Sequence, residues 1–290
     1  LDLTESNPTR AQLPYPPGML APLSDDRGLD YSPDPRGLMS ARTAVTAYYR
    51  GLGVDIPEDR ILLTASTSEA YSFLFQLLAN PGDEILSLRP SYPLFEFLAG
   101  LSSVVMKQYP LRYDGSWHID FSALEQAITA RTRAIVIVNP NNPTGSFLKR
   151  DELEQLESLA LARNIAIISD EVFSDYRWSS SRQQVTTLAG DRRALTFSMS
   201  GLSKVAGLPQ LKLGWIVASG PGHPEALEAL ELVADTYLSV ATPVQVALPG
   251  LLESGAAIRR AIADRTSANL AQLRAILPGS AGNVLNVEGG

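Results

Sequence analysis

From Ile61 onward the hydrophobic positions gather into short runs without polar alternation, each followed by a stretch with helical spacing. Ile61–Thr64, Glu84–Leu88, Val104–Tyr109, Ala134–Val138, Ile165–Ser169, Ala194–Ser198 and Leu213–Ala218 have strand length. Between them, Ser68–Ala79, Pro93–Leu101, Phe121–Ala130 and Arg150–Arg163 repeat their apolar residues at helical intervals. Ser66 is placed to cap the first of these helices, and Asn80-Pro81-Gly82 closes it. Strands that are apolar on both faces suit a parallel sheet covered by helices. Strand–helix alternation therefore predicts an α/β fold built on a mostly parallel sheet.

The flanks read differently. The first forty residues are rich in Pro, Gly and Asp, as in Asn7-Pro8, Tyr15-Pro16-Pro17-Gly18 and Ser32-Pro33-Asp34-Pro35. They predict an extended arm with turns rather than packed structure. Leu38–Leu52 is helical, and after Gly222 the pattern is helical again, over Pro224–Tyr237, Pro243–Glu253 and Ala256–Leu277. We divide the chain into an arm (1–39), a large domain (40–222), and interdomain helices with an incomplete small domain (223–290). The opening at Leu1 and the strand-like ending Val284–Gly290 lead us to expect a fragment.

Composition narrows the chemistry. With no cysteine among 290 residues, disulfides, thiolate zinc sites, iron–sulfur clusters and cysteine nucleophiles are excluded. Two histidines, His118 and His223, leave little for imidazole catalysis or a His-rich metal site. A net charge of -7 argues against nucleic acid as a partner. No apolar run approaches the roughly 18 residues needed to cross a bilayer, so no membrane partner and a cytoplasmic location are expected. Arginine outnumbers lysine twenty to four, which makes each lysine worth locating.

In an open α/β sheet, ligands collect beyond the carboxyl ends of the strands. Asn139-Pro140-Asn141-Asn142-Pro143-Thr144-Gly145 follows one strand, Asp170-Glu171 another, and Met199-Ser200-Gly201-Leu202-Ser203-Lys204 a third. Ala65-Ser66-Thr67-Ser68 follows the first strand at a helix start. Each has a plain structural explanation: Asn-Pro makes turns, an Asp at a strand end caps, Ser66 and Thr67 cap helices, and a lysine sits on a surface. Together, successive strand ends present an amide, a carboxylate, a lysine and a hydroxyl-rich helix N-terminus.

These residues resemble the fold-type I pyridoxal-phosphate enzymes, specifically the class I/II aminotransferases. The resemblance runs from Leu3-Thr4-Glu5-Ser6-Asn7-Pro8-Thr9 to Val284–Gly290, and is sharpest in Asn139–Gly145, Asp170-Glu171-Val172-Phe173 and Ser200–Trp215. It implies that Lys204 holds the aldehyde of pyridoxal 5'-phosphate as a Schiff base and then moves a proton between the substrate Cα and the cofactor. Asp170 would pair with the pyridinium nitrogen, Asn142 with the ring 3' oxygen, and Tyr92 would stack on the ring. The phosphate would lie at Ser66, Thr67 and Ser68, where helix N–H groups and the dipole favour an anion, helped by Ser200 or Ser203. Tyr31 matches a tyrosine that reaches the phosphate of a neighbouring subunit, implying a homodimer. Ser6 and Asn7 would border the substrate.

Two positions depart from the pattern. Lys212 stands where an arginine is usual, keeping the phosphate's positive partner without a planar bidentate grip. Phe173 stands where a tyrosine is common, removing a donor to the 3' oxygen. The arginine that binds the substrate carboxylate would fall beyond residue 290. The resemblance thus implies an aminotransferase passing an amino group from an amino acid to a 2-oxo acid by a ping-pong route. A lyase or decarboxylase on the same scaffold is the alternative, and a cofactor-binding module without turnover a third reading. A nucleotide-dependent dehydrogenase is disfavoured, because no G-x-G-x-x-G follows a strand.

Overall fold

The computed structural model describes residues 7–178, 181–279 and 282–290. Its eight strands form one sheet in the order β1-β8-β7-β6-β5-β2-β3-β4. The central five, β2 (Glu84–Arg89), β3 (Val105–Tyr113), β5 (Thr132–Val138), β6 (Ala166–Asp170) and β7 (Thr196–Gly201), pair in parallel. β8 (Gly214–Ser219) runs against them, and β1 (Ile61–Thr64) runs against β8. β1 is thereby turned back into the common direction, so it ends on the same sheet edge as β5, β6 and β7. β4 (Trp117–Ile119) is a three-residue addition paired to the far end of β3, too short for periodicity to reveal.

The apolar runs are buried on both faces, as their lack of alternation predicts. In β8, Ile216 and Ala218 face one core while Trp215 and Val217 face another, and all four are fully buried. The first core lies under α2 (Thr67–Leu78), α3 (Leu94–Leu101) and α7 (His223–Tyr237). The opposite face is divided between α1 (Met39–Gly51) with α8 (Thr242–Ile276), and α4 (Phe121–Ala127) with α5 (Arg150–Arg163).

Two expectations are corrected. The helices read over Pro243–Glu253 and Ala256–Leu277 are one continuous α8. Ser254-Gly255 reads as a break, yet Gly255 serves close packing: a Cβ there would lie 2.5 Å from the Ala206 Cβ. Residues 7–40 are also more than an extended arm. Three short 3₁₀ turns, Pro8–Arg10, Ala21–Ser24 and Asp26–Leu29, fold them along the body, with Met19 buried and Leu13, Tyr15 and Leu23 packed on the α1/α8 core. Isolated apolar residues among prolines carry no period from which such packing could be read.

Residues 282–290 return across the sheet edge where β5 and β6 end. The Gly145 carbonyl accepts from the N–H groups of Glu288 and Gly289, each at 3.0 Å, and the Tyr176 carbonyl from that of Gly290 at 2.9 Å. The Glu288 carboxylate accepts from Phe147 N–H at 2.7 Å and pairs with Lys149 Nζ at 2.6 Å.

Candidate active site

Strand register sets the positions of the site residues. Asp170 is the last residue of β6, level with Val138 of β5 and Met199 of β7. Two residues further along β7, Gly201 faces Gly214 of β8, which faces Thr64 of β1. The β1–α2 turn crosses directly above this row. A Cβ on Gly214 would come 3.2 Å from the Ser66 carbonyl carbon and 3.2 Å from Thr64 Oγ1, and one on Gly201 would come 2.8 Å from the Leu213 carbonyl oxygen. The absence of side chains there lets the α2 N-terminus, the end of β7 and the start of β8 converge.

Asp170 is buried and held from two sides. The Tyr71 hydroxyl donates to its Oδ2 at 3.1 Å, and the Val172 N–H donates to its Oδ1 at 3.2 Å. Burial pushes its pKa up to about 6, against the pull of the Val172 N–H, the Tyr71 hydroxyl and the Lys204 charge. Lys204 sits in α6 (Leu202–Val205), a single turn opening where β7 ends. Its Nζ lies 5.3 Å from the centroid of the Phe173 ring. Desolvation lowers the Lys204 pKa, and the Asp170 charge opposes that shift. The two groups therefore feel one another electrostatically across adjoining strand ends.

A contact chain joins further predicted residues to this pair. Tyr71 packs edge-on against Phe95 at 5.1 Å between centroids, and Phe95 against Tyr92 at 6.0 Å. Tyr92 is 43% exposed, leaving its ring face available to a ligand. The Asn141 amide donates to the Pro90 carbonyl at 3.1 Å and to Thr144 Oγ1 at 2.9 Å, tying the loop that carries Asn142 to the loop that carries Tyr92. Asn142 is half-buried in that loop. Ser66 caps α2, accepting from the Glu69 N–H at 3.2 Å, with Thr67 and Ser68 half-buried in the first turn. Ser200 is buried with its Oγ unpaired, whereas Ser203 is half-buried on α6.

Lys212 is exposed, in left-handed conformation (φ 49°), two residues before β8. Tyr31 is 80% exposed, beside Ser32–Pro35 and the α7–α8 junction. Asn7 caps the first 3₁₀ turn, accepting from Thr9 N–H at 3.0 Å, while Ser6 lies outside the described residues.

Sequence reasoning missed Tyr71 and the glycine pair. Tyr71 reads as one more apolar-face residue of α2, and only its hydroxyl, aimed at Asp170, sets it apart. Glu171 is also buried, accepting from Ser169 Oγ at 2.9 Å, Leu188 N–H at 2.7 Å and the Thr187 hydroxyl. Burial pushes its pKa up to about 7 despite these donors. Among the described residues no cluster of His, Asp and Glu suits a metal ion, and no helix is long and apolar enough to cross a membrane.

The donor set fits a planar, phosphorylated cation-bearing ring. A buried carboxylate at about pKa 6 suits a ring N–H⁺, an exposed aromatic suits its face, and a helix N-terminus opened by Ser66, Thr67 and Ser68 suits a phosphate.

Comparison with known proteins points to one family. A family model described as aminotransferase class I and II matches residues 2–282. The glutamate-pyruvate aminotransferase AlaA of Escherichia coli is 34% identical over 219 residues, which is 74% of this chain and 54% of that protein. The S-alkyl-thiohydroximate lyase SUR1 of Arabidopsis thaliana is 29% identical over 246 residues, 80% of this chain and 51% of the other. The solved alanine aminotransferase of Pyrococcus furiosus is 30% identical with a TM-score of 0.81, covering 98% of this chain and 73% of that one. The chain spans about half the length of the curated relatives it matches.

Proposed function

The chain belongs to the class I and II aminotransferases, and from that premise we propose that it transfers an amino group from an amino acid to a 2-oxo acid, with pyridoxal 5'-phosphate held at Lys204. The observation that carries the reading is the placement of buried Asp170 at the end of β6 and of Lys204 in the turn that follows the neighbouring β7. When bound, the cofactor supplies an electron sink for charge developing at the substrate Cα.

The chain's own residues have separable tasks. Lys204, its ammonium destabilised by desolvation, offers a neutral amine at lower pH than an ordinary lysine, as both nucleophile and proton carrier. Asp170, steadied by Tyr71 and Val172, holds a proton-bearing ring nitrogen. Asn142 would pair with the 3' oxygen of the bound cofactor and Tyr92 would stack on its ring. Ser66, Thr67 and Ser68 with Ser200 or Ser203 receive the phosphate, and Lys212 adds positive charge at the same edge. Tyr31, exposed on its own subunit, serves the site of a second copy in a homodimer.

The AlaA and Pyrococcus relatives favour transamination with alanine or glutamate as the amino donor. The SUR1 relative gives substance to a lyase reading, since the residues that hold the cofactor do not choose which Cα bond breaks.

The test is the visible spectrum of the chain with pyridoxal phosphate, beside Lys204→Ala, before and after amino acids are added. Transamination requires a band that depends on Lys204, is bleached by an amino acid and returns with a 2-oxo acid. Bleaching without return, accompanied by a released fragment, would establish a lyase. Absence of any Lys204-dependent band would overturn the cofactor assignment.

A further inference from the structure

α6 is four residues long, a length at which a helix has no stability of its own. Its last carbonyls have no helical partners and must find donors elsewhere. Two side chains from distant parts of the chain supply them, and a third holds the backbone just beyond the helix. The Tyr176 hydroxyl, from the loop after β6, donates to the carbonyl of Lys204 itself. Arg259 Nη1, from α8, donates to the Val205 carbonyl at 3.0 Å. The Tyr15 hydroxyl, from the N-terminal segment, donates to the Gly207 carbonyl at 2.7 Å.

Arg259 is fixed in turn. Its Nε lies 3.7 Å from Asp175 Oδ1, and Asp175 Oδ2 accepts from the Tyr48 hydroxyl at 3.0 Å. The guanidinium also sits 6.0 Å from the centroid of the Tyr48 ring. The surrounding backbone approaches closely: a Cβ on Gly207 would come 2.7 Å from Ile258 Cγ2, one residue before Arg259. α8 thus lies on α6 along Gly255, Ile258 and Arg259.

We infer that Arg259 and Tyr176 are positioning residues for Lys204: by fixing the carbonyls of Lys204 and Val205 they hold the lysine amine in its desolvated place over Phe173, facing Asp170. The inference deepens the cofactor assignment of Lys204 and rests on it. The ionisable groups around Lys204 are Asp170 on β6, Tyr71 on α2 behind it, Asp175 and Tyr176 in the loop after β6, Arg259 on α8 and Tyr15 in the N-terminal segment. Neither Arg259 nor Tyr176 donates to the Lys204 amine, so their effect passes through the α6 backbone. Releasing α6 lets the amine swing toward solvent, where it regains the hydration that burial denies it.

The experiment is competitive acylation of the chain's four lysines with acetic anhydride across a pH series, read peptide by peptide by mass spectrometry. It uses the 290-residue chain freed of cofactor, with Lys107, Lys149 and Lys212 as internal references. The variants are Tyr176→Phe, Arg259→Met and Arg259→Lys, each checked by thermal unfolding. In Tyr176→Phe and Arg259→Met the Lys204 titration midpoint moves up by about half a unit or more, a roughly threefold fall in neutral amine at a given pH. Arg259→Lys, which keeps a donor and a charge, stays near wild type. The rate at which the Lys204-dependent visible band appears on mixing with pyridoxal phosphate falls in the same order. An unchanged Lys204 profile in both disruptive variants overturns the inference, as does an equal shift of all four lysines, which would report general loosening. Because acylation needs no cofactor, failure of the cofactor assignment would show separately, as a wild-type chain without the visible band.

Discussion

Asp170 joins a site property to a stability property. Its folded pKa of about 6 lies above the 3.8 of an ordinary aspartate, because burial disfavours the charge more than Val172, Tyr71 and Lys204 favour it. The native chain therefore retains a proton that the unfolded chain has already lost. The resulting stability is complete below about pH 4 and disappears as pH rises through 6. Asp170→Asn removes that dependence. In urea unfolding without cofactor, the variant should match wild type near pH 4 and exceed it at pH 7–8 by about 3 kcal/mol. Glu171 titrates with the same sign in both proteins and drops out of the difference. With pyridoxal phosphate present the order should reverse, since only the carboxylate pairs with a ring N–H⁺. Tyr71 was not legible in the sequence as a partner of Asp170, since a tyrosine on the apolar face of a helix looks the same whether its hydroxyl is used or idle.

Among the elements, the loops after β5 and β6 are the least self-sufficient, and residues 282–290 bind them together. Gly145 is the tightest point of that contact. It has φ 66°, and a Cβ there would overlap the Gly289 carbonyl. Gly145→Ala should cost about 1–3 kcal/mol from strain at positive φ plus displacement of the covering segment. Trp178, whose N–H donates to the Glu288 carbonyl at 2.9 Å, makes the change visible as altered tryptophan fluorescence. The strands were readable because burial on both faces leaves apolar runs, and the helix over Arg150–Arg163 because its charged positions recur on its outer side. The fusion of α8 at Gly255 was not, because sequence shows a missing side chain without showing what fills its place. Gly201 and Gly214 were hidden for the same reason, although they shape the edge on which Ser66 and Lys204 meet.

For the whole molecule, the position of Tyr31 is the telling fact. Tyr31 is 80% exposed near the α7–α8 junction, which leaves its hydroxyl accessible to a second copy of the chain. In the proposed homodimer it reaches the partner's phosphate. Sedimentation velocity should then give a dimer, and Tyr31→Phe should weaken cofactor binding about fivefold, the worth of one hydrogen bond. Chains carrying Tyr31→Phe and Lys204→Ala, mixed and reassorted, should regain some sites of wild-type affinity, because one hybrid site combines an intact lysine with an intact tyrosine. Sites confined within one subunit would show no such recovery.

The continuity of α8 has a mechanical consequence. At 1.5 Å per residue its 35 residues make a rod about 50 Å long. Gly255 rests against Ala206 about 20 Å from one end and about 30 Å from the other, giving a fulcrum with unequal arms. Arg259 lies only about 6 Å along the longer arm. A tilt that carries the far end by 2 Å would move the hydrogen bond at Val205 by about a fifth as much. Gross displacement at the far end of α8 reaches the backbone beside Lys204 geared down to a few tenths of an ångström, the scale on which a hydrogen bond is tuned rather than broken.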